Sequence, residues 1–138
     1  MARNVVAGLI WNQGKILVCQ RRKWDTFALL WEFPGGKLEP NETPAEGLRR
    51  ELREELGVEA SIGAEIYRTG HRYTQMKEPL ELIFFHAKAD PGAMRPLAFE
   101  QIRWLTPDSL PELEFLPADR EFVERLSRGD FPPPESLA

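Results

Sequence analysis

The stretch from Gly36 to Val58 constrains this chain more than any other. It reads GKLEPNETPAEGLRRELREELGV. Thr43-Pro44-Ala45-Glu46 is a capping box with proline at the first helical position: the threonine hydroxyl takes the Glu46 amide, and Glu46 reaches back to Thr43. The helix so started runs to about Leu56, where Gly57 is a natural left-handed stop. Ala45, Leu48, Leu52 and Leu56 recur at helical spacing and form an apolar stripe. One short helix, closed at both ends, must therefore lie with one face on a core.

The rest of the chain reads mainly as strands. Val5 to Trp11 is a buried strand, Asn12-Gln13-Gly14 a turn, and Lys15 to Gln20 a second strand, giving an N-terminal hairpin. Trp31-Glu32-Phe33 alternates as a short strand before the Gly35-Gly36 turn. Ala60 to Arg68, Leu80 to Ala87 and Gln101 to Leu105 are further strands, and His71-Arg72-Tyr73-Thr74 either extends the first of these or loops. Pro117 to Leu126 is a second helix with Phe122, Val123 and Leu126 turned inward. Strands interleaved with two helices predict an α/β chain: a mixed sheet with a helix on each face. The length fits one domain over residues 1–128, followed by a Pro-rich tail over 129–138.

Charge and cysteine narrow the setting. The net charge of −4 argues against a protein that coats a nucleic acid polymer. It does not oppose a small anionic substrate brought in with a cation. Cys19, the single cysteine, cannot form an internal disulfide and sits in the apolar run Ile16-Leu17-Val18-Cys19, so a reducing, cytoplasmic setting and a buried thiol are expected. No apolar run approaches the ~20 residues of a membrane helix.

The chemistry lies in the acids. Each helical residue advances by about 100°, so Glu51, Glu54 and Glu55 share a narrow arc beside the apolar stripe. Three acids this close repel one another unless solvent or a cation relieves them. Mg²⁺, or Mn²⁺ in its place, suits such hard oxygen ligands and completes its shell with water and phosphate. Gly35 and Gly36 let the backbone approach a ligand and leave a carbonyl free. Lys37 follows directly and faces a phosphate in this reading. The plainer alternative makes Glu46, Arg50 and Glu54 surface pairs at i,i+4 spacing. The Gly-Gly turn, the capped start, Glu42 and the Gly57 stop all coincide, which favours the site.

This motif resembles the Nudix hydrolase signature at every fixed position. Glu32-Phe33-Pro34-Gly35-Gly36-Lys37, Trp104-Leu105-Thr106-Pro107 and Phe115-Leu116-Pro117-Ala118-Asp119 look like its MutT branch. The resemblance implies a Nudix fold, an α/β/α sandwich around a mixed β-sheet. It implies Mg²⁺-dependent hydrolysis of a nucleoside triphosphate to the monophosphate and pyrophosphate. The leading substrate is 8-oxo-dGTP, with CTP or a modified dCTP as the alternative. A non-catalytic Nudix module that binds nucleotide or a partner protein is the rival from another class. Monomer and homodimer both remain open.

Residue by residue, the resemblance makes Glu51, Glu54 and Glu55 metal-binding glutamates, joined by the Gly35 carbonyl. Arg50 and Glu42 orient the helix and loop. Arg21 matches a phosphate-contacting arginine, but a solvated strand end is an equal reading. The family often has a glutamate shortly before the tryptophan of the last strand. One of Glu51, Glu54 and Glu55, or a later carboxylate, is implied as the general base; this chain has Ala98 at the later position, and Glu100 is the nearest acid, either taking that role or an exposed loop residue. Asp119 reads the base edge, or caps the second helix. Phe33 lines the base pocket, or packs in the core.

Overall fold

In a computed structural model, residues 3–72 and 78–135 are described. Seven strands are found among them: β1 (Arg3–Asn12), β2 (Lys15–Gln20), β3 (Trp31–Glu32), β4 (Gly35–Lys37), β5 (Ser61–His71), β6 (Leu80–Lys88) and β7 (Gln101–Leu105). Two α-helices cover them, α1 (Pro44–Leu56) and α2 (Arg120–Ser127).

The main sheet runs β3-β2-β1-β6-β5, with β7 paired to β2 and β4 paired to β1. β1 and β6 are parallel from Arg3↔Leu80 to Ile10↔Ala87; the other pairings are antiparallel. The sheet is therefore mixed, as expected. One edge of β1 serves two partners. Val5, Val6 and Ala7 pair with β4, whereas Trp11 and Asn12 pair with β2. At the changeover the Gly8 amide donates to the Pro34 carbonyl at 2.8 Å. The strands part there, and a cleft opens between them.

Side chains alternate along each strand, so β1 and β2 feed two cores. Val6, Ile10, Leu17 and Cys19 lie under α1 with Leu48, Leu52 and Leu56. Ala7, Leu9, Ile16 and Val18 lie under α2 with Phe122, Val123 and Leu126. Each fully buried aliphatic side chain contributes about 1.5–3 kcal/mol. Cys19 is buried and free, as its apolar run predicts.

Helix α1 begins and ends as its sequence predicts. Both bonds of the capping box form, and Gly57 is left-handed with its amide on the Arg53 carbonyl. The stripe differs by one position: Gly47, not Ala45, is buried with the leucines. The sequence expectation of a Gly35-Gly36 turn is also corrected. Both glycines lie in β4, because an extended pair without side chains can press against β1. A Cβ on Gly35 would collide with the Val6 carbonyl oxygen. Strand β5 runs on to His71, with two register shifts between Ile62 and Tyr67. Tyr73 and Thr74 lie outside the described residues. The expected helix from Pro117 starts instead as a 3-10 turn, Pro117–Asp119, before α2. Gly129 turns the chain back after α2, and Phe131 packs on Tyr67 and Phe122. No helix is long and apolar enough to cross a membrane among the described residues.

Candidate active site

A cavity of about 200 Å³ opens where β1 changes partners. Its walls include Arg21, Glu32, Phe33, Gly35, Gly36, Lys37, Glu55 and Asp119. Helix α1 supplies Glu55 to the cavity wall. Glu55 is held by the Gly35 amide, which donates to its Oε1 at 3.0 Å. Burial, and then the negative charges of Glu32 and Glu51, push the Glu55 carboxyl up to about 9. Glu51 packs against Gly36: a Cβ there would lie 2.5 Å from the Glu51 carboxyl carbon. Burial raises Glu51 as well, against the opposing pull of Arg50. Glu54 is exposed, with 58 % of its side chain in solvent.

Arg50 disperses this negative charge. Its Nε donates to Glu42 at 2.6 Å, its Nη1 to Glu51 at 3.0 Å and to Glu54 at 3.3 Å, and its Nη2 to the Lys37 carbonyl at 3.0 Å. These bonds raise the arginine's pKa further, so it stays charged. Of the surface pairs in the plainer alternative, Arg50 meets Glu54, whereas Glu46 is used by the cap. Among the described residues no three acids converge as a ready chelate. The reason is local: Arg50 holds Glu51 and Glu54, and the Gly35 amide holds Glu55. The donor set nonetheless fits a hard divalent cation. It consists of carboxylate oxygens; burial first, and neighbouring acids second, raise Glu51 and Glu55, and a cation offsets both effects.

Asp119 and Phe33 also line the cavity. Trp31 donates its amide to the Glu114 carbonyl at 2.9 Å, and the Leu116 amide donates back to Trp31 at 3.0 Å. This short bridge carries Ala118 and Asp119 to the cavity wall. Asp119 occupies the N-cap of α2, yet its side chain makes no capping hydrogen bond. It is 5 % exposed. Burial, helped by the charge of Glu32, holds its carboxyl well above the ordinary range. A neutral aspartic acid offers both a donor and an acceptor. Phe33 both packs and lines the cavity: it stacks on Phe115 at 5.5 Å and meets Phe122 edge-on at 5.6 Å.

The NUDIX domain family model matches residues 1–126. The chain belongs to the Nudix family. This Nudix chain is 37% identical to a CTP pyrophosphohydrolase of Escherichia coli over 120 residues, 87% of each protein. It is 36% identical to an 8-oxo-dGTP diphosphatase of Haemophilus influenzae, covering 88% of this chain and 89% of the relative. Its structure is similar to the solution structure of the E. coli ORF135 protein, with a TM-score of 0.80, 32% identity, and coverage of 97% and 94% of the two chains. A MutT protein from Methanosarcina mazei gives a TM-score of 0.80 at 28% identity, with 94% and 95% covered.

Within the Nudix fold, most of the residues singled out by sequence fall around one cavity. Arg21, Phe33, Gly35, Lys37, Glu55 and Asp119 line it. Glu51 adjoins it through Gly36, and Arg50 ties Glu51 and Glu54 to the Lys37 carbonyl. Arg21 is not a free strand end. Its Nη1 donates to Glu32 at 3.1 Å and its Nε to the Thr26 carbonyl at 2.6 Å. Glu100 stands apart. It is exposed just before β7, with its amide on the Gln20 carbonyl at 2.9 Å, and it does not line the cavity. Glu32 was given no role from sequence. It lines the cavity, and burial raises its carboxyl against the opposing pull of Arg21. The one signal for it was an acid placed between two buried aromatics, Trp31 and Phe33.

Proposed function

We propose that this chain is a Mg²⁺-dependent pyrophosphohydrolase of nucleoside triphosphates, with 8-oxo-dGTP as the first substrate to test. The observation that carries the reading is one cavity whose wall holds both Glu55 of the acid-bearing helix α1 and a buried Asp119 that makes no capping bond. Such a wall offers groups for both the phosphates and the base of a nucleotide. Glu51, Glu54 and Glu55 with the Gly35 carbonyl would hold the cation, which neutralises phosphate charge and makes bound water a better nucleophile. Arg50 offsets the repulsion between Glu51 and Glu54 and orients them on α1, while the Gly35 amide holds Glu55. Lys37 and Arg21 add positive charge along the cavity wall. Phe33 offers an aromatic surface to the base, and Asp119 reads its edge. Residues 1–128 act as one catalytic domain in this reading, in a reducing, cytoplasmic setting.

A second substrate reading has its own support. A neutral Asp119 can donate to a ring nitrogen and accept from an amino group, so cytosine fits the same acid as guanine. The E. coli relative is a CTP pyrophosphohydrolase. The non-catalytic alternative is weaker, because every motif acid is present. A pyrophosphate-release screen separates the readings. It compares 8-oxo-dGTP, dGTP, CTP, dCTP and 5-methyl-dCTP with Mg²⁺ and with EDTA. Preference for 8-oxo-dGTP over dGTP supports the first reading, and preference for cytosine nucleotides supports the second. No turnover of any triphosphate with Mg²⁺ overturns both.

A further inference from the structure

The family match stops at residue 126, yet the chain beyond it returns to the domain. Helix α2 has eight residues. A helix this short has little stability of its own and is placed by what it packs against. Its start lacks a side-chain cap, since Asp119 does not bond to its first turn. Its other end is fastened closely. The Gly129 amide donates to the Leu126 carbonyl at 3.0 Å, and the Asp130 amide to the Arg125 carbonyl at 3.1 Å. Asp130 Oδ2 accepts from Arg125 and from Arg128, each at 3.2 Å. The Arg125 guanidinium lies 5.2 Å from the Tyr67 ring centroid and 4.8 Å from that of Phe131.

Phe131 also ends a continuous run of aromatic contacts. Its ring is 5.2 Å from Phe122 and 5.5 Å from Tyr67. Phe122 in turn meets Phe84 at 3.9 Å and Phe33 at 5.6 Å. Phe33 is a wall of the cavity. Close-packed interiors transmit displacement, so what presses on Phe122 also sets Phe33 and the first turn of α2.

We propose that Phe131, clamped by Arg125 and Asp130, is a positioning residue for the base end of the cleft: it fixes α2 and Phe33, and through α2 it fixes Asp119. This rests on the reading of Asp119 and Phe33 as the base-recognition pair. Phe131 touches no substrate itself. Its loss loosens the fit of the base without touching the acids of α1.

The test uses the full chain and its Phe131→Ala and Phe131→Tyr variants, assayed well below the lowest melting temperature. The expected result for Phe131→Ala is a KM raised about five- to tenfold for the preferred triphosphate. The preference between bases should narrow at least threefold, with kcat within twofold of native. Phe131→Tyr should restore both. A lowered melting temperature with native KM and base preference overturns the proposal, as does a fall in kcat alone. Should Phe131→Ala not fold, Asp130→Asn is read by the same criteria, with a smaller shift in the same direction. Should the native chain hydrolyse no triphosphate, the pyrophosphohydrolase reading fails separately. Calorimetric binding of the nucleoside monophosphates then decides: weaker binding by Phe131→Ala sustains the positioning role, and equal or absent binding overturns it.

Discussion

Helix α1 uses a threonine and a glutamate to close its own first turn, whereas α2 begins at an aspartate whose carboxyl does nothing for the helix. The two starts look equally suited to capping in the sequence. In the structure, Thr43 and Glu46 satisfy each other in solvent, and Asp119 is buried in a cavity wall. The same contrast applies within α1. Its capped end is electrostatically settled, and its far end carries carboxyls that are pushed toward protonation.

The largest effect that would sharpen this contrast comes from Glu54. It is exposed, and its side chain accepts from Arg50. Glu54→Gln should fold normally and lose roughly 100-fold or more in kcat, the scale for removing a group that stabilises transition-state charge. Native turnover with an unchanged melting curve would remove Glu54 from the site. Asp119 comes next. If it reads the base, Asp119→Ala should raise KM about tenfold, a cost of ~1.4 kcal/mol, and should alter the ranking of bases. If it were only a cap, Asp119→Asn would be harmless and the ranking would stay the same.

A smaller effect is a pH slope in the metal-free protein. The folded Glu55 holds its proton up to about pH 9, against an ordinary value of 4.5. The folded state thus binds the proton more tightly than the unfolded chain. The resulting stability is complete below pH 4.5 and is lost as pH rises through about 9. The melting temperature in EDTA should fall across that window, and Glu55→Gln should flatten its share of the slope. An identical slope in the variant would show that Glu55 is not the titrating group. The smallest effect is at the settled end. Thr43→Ala should cost about 1 kcal/mol of stability and leave kcat and KM alone. A loss of activity at fixed folded fraction would break the division between the two ends of α1.

What the sequence made legible follows from the range of the interactions. The capping box, the Gly57 stop and the apolar stripe act within a few residues, and α1 was readable to its ends. The strands β1, β2 and β6 were readable because their apolar runs are buried on both faces. The pairing of β4 with β1, and the parallel run of β1 with β6, depend on partners far away in the chain. Nothing in Gly35-Gly36-Lys37 announces a strand, because its small residues are selected by the closeness of β1 and α1. The site divides in the same way. Glu51, Glu54 and Glu55 are spaced by one helix and could be found together. Glu32 meets Arg21 only through the pairing of β3 with β2, and Phe131 meets Tyr67 only because the chain folds back at Gly129.

Gly36 carries a consequence for how such a chain changes over generations. The missing methyl there is the space that the Glu51 carboxyl fills. Alanine at this position remains compatible with an extended strand, but it evicts the acid. If Glu51 holds the cation as proposed, one nucleotide change would convert a catalyst into a protein that keeps its shape while turning nothing over. Silent descendants of this kind would be invisible to a search that asks only whether the acids are present.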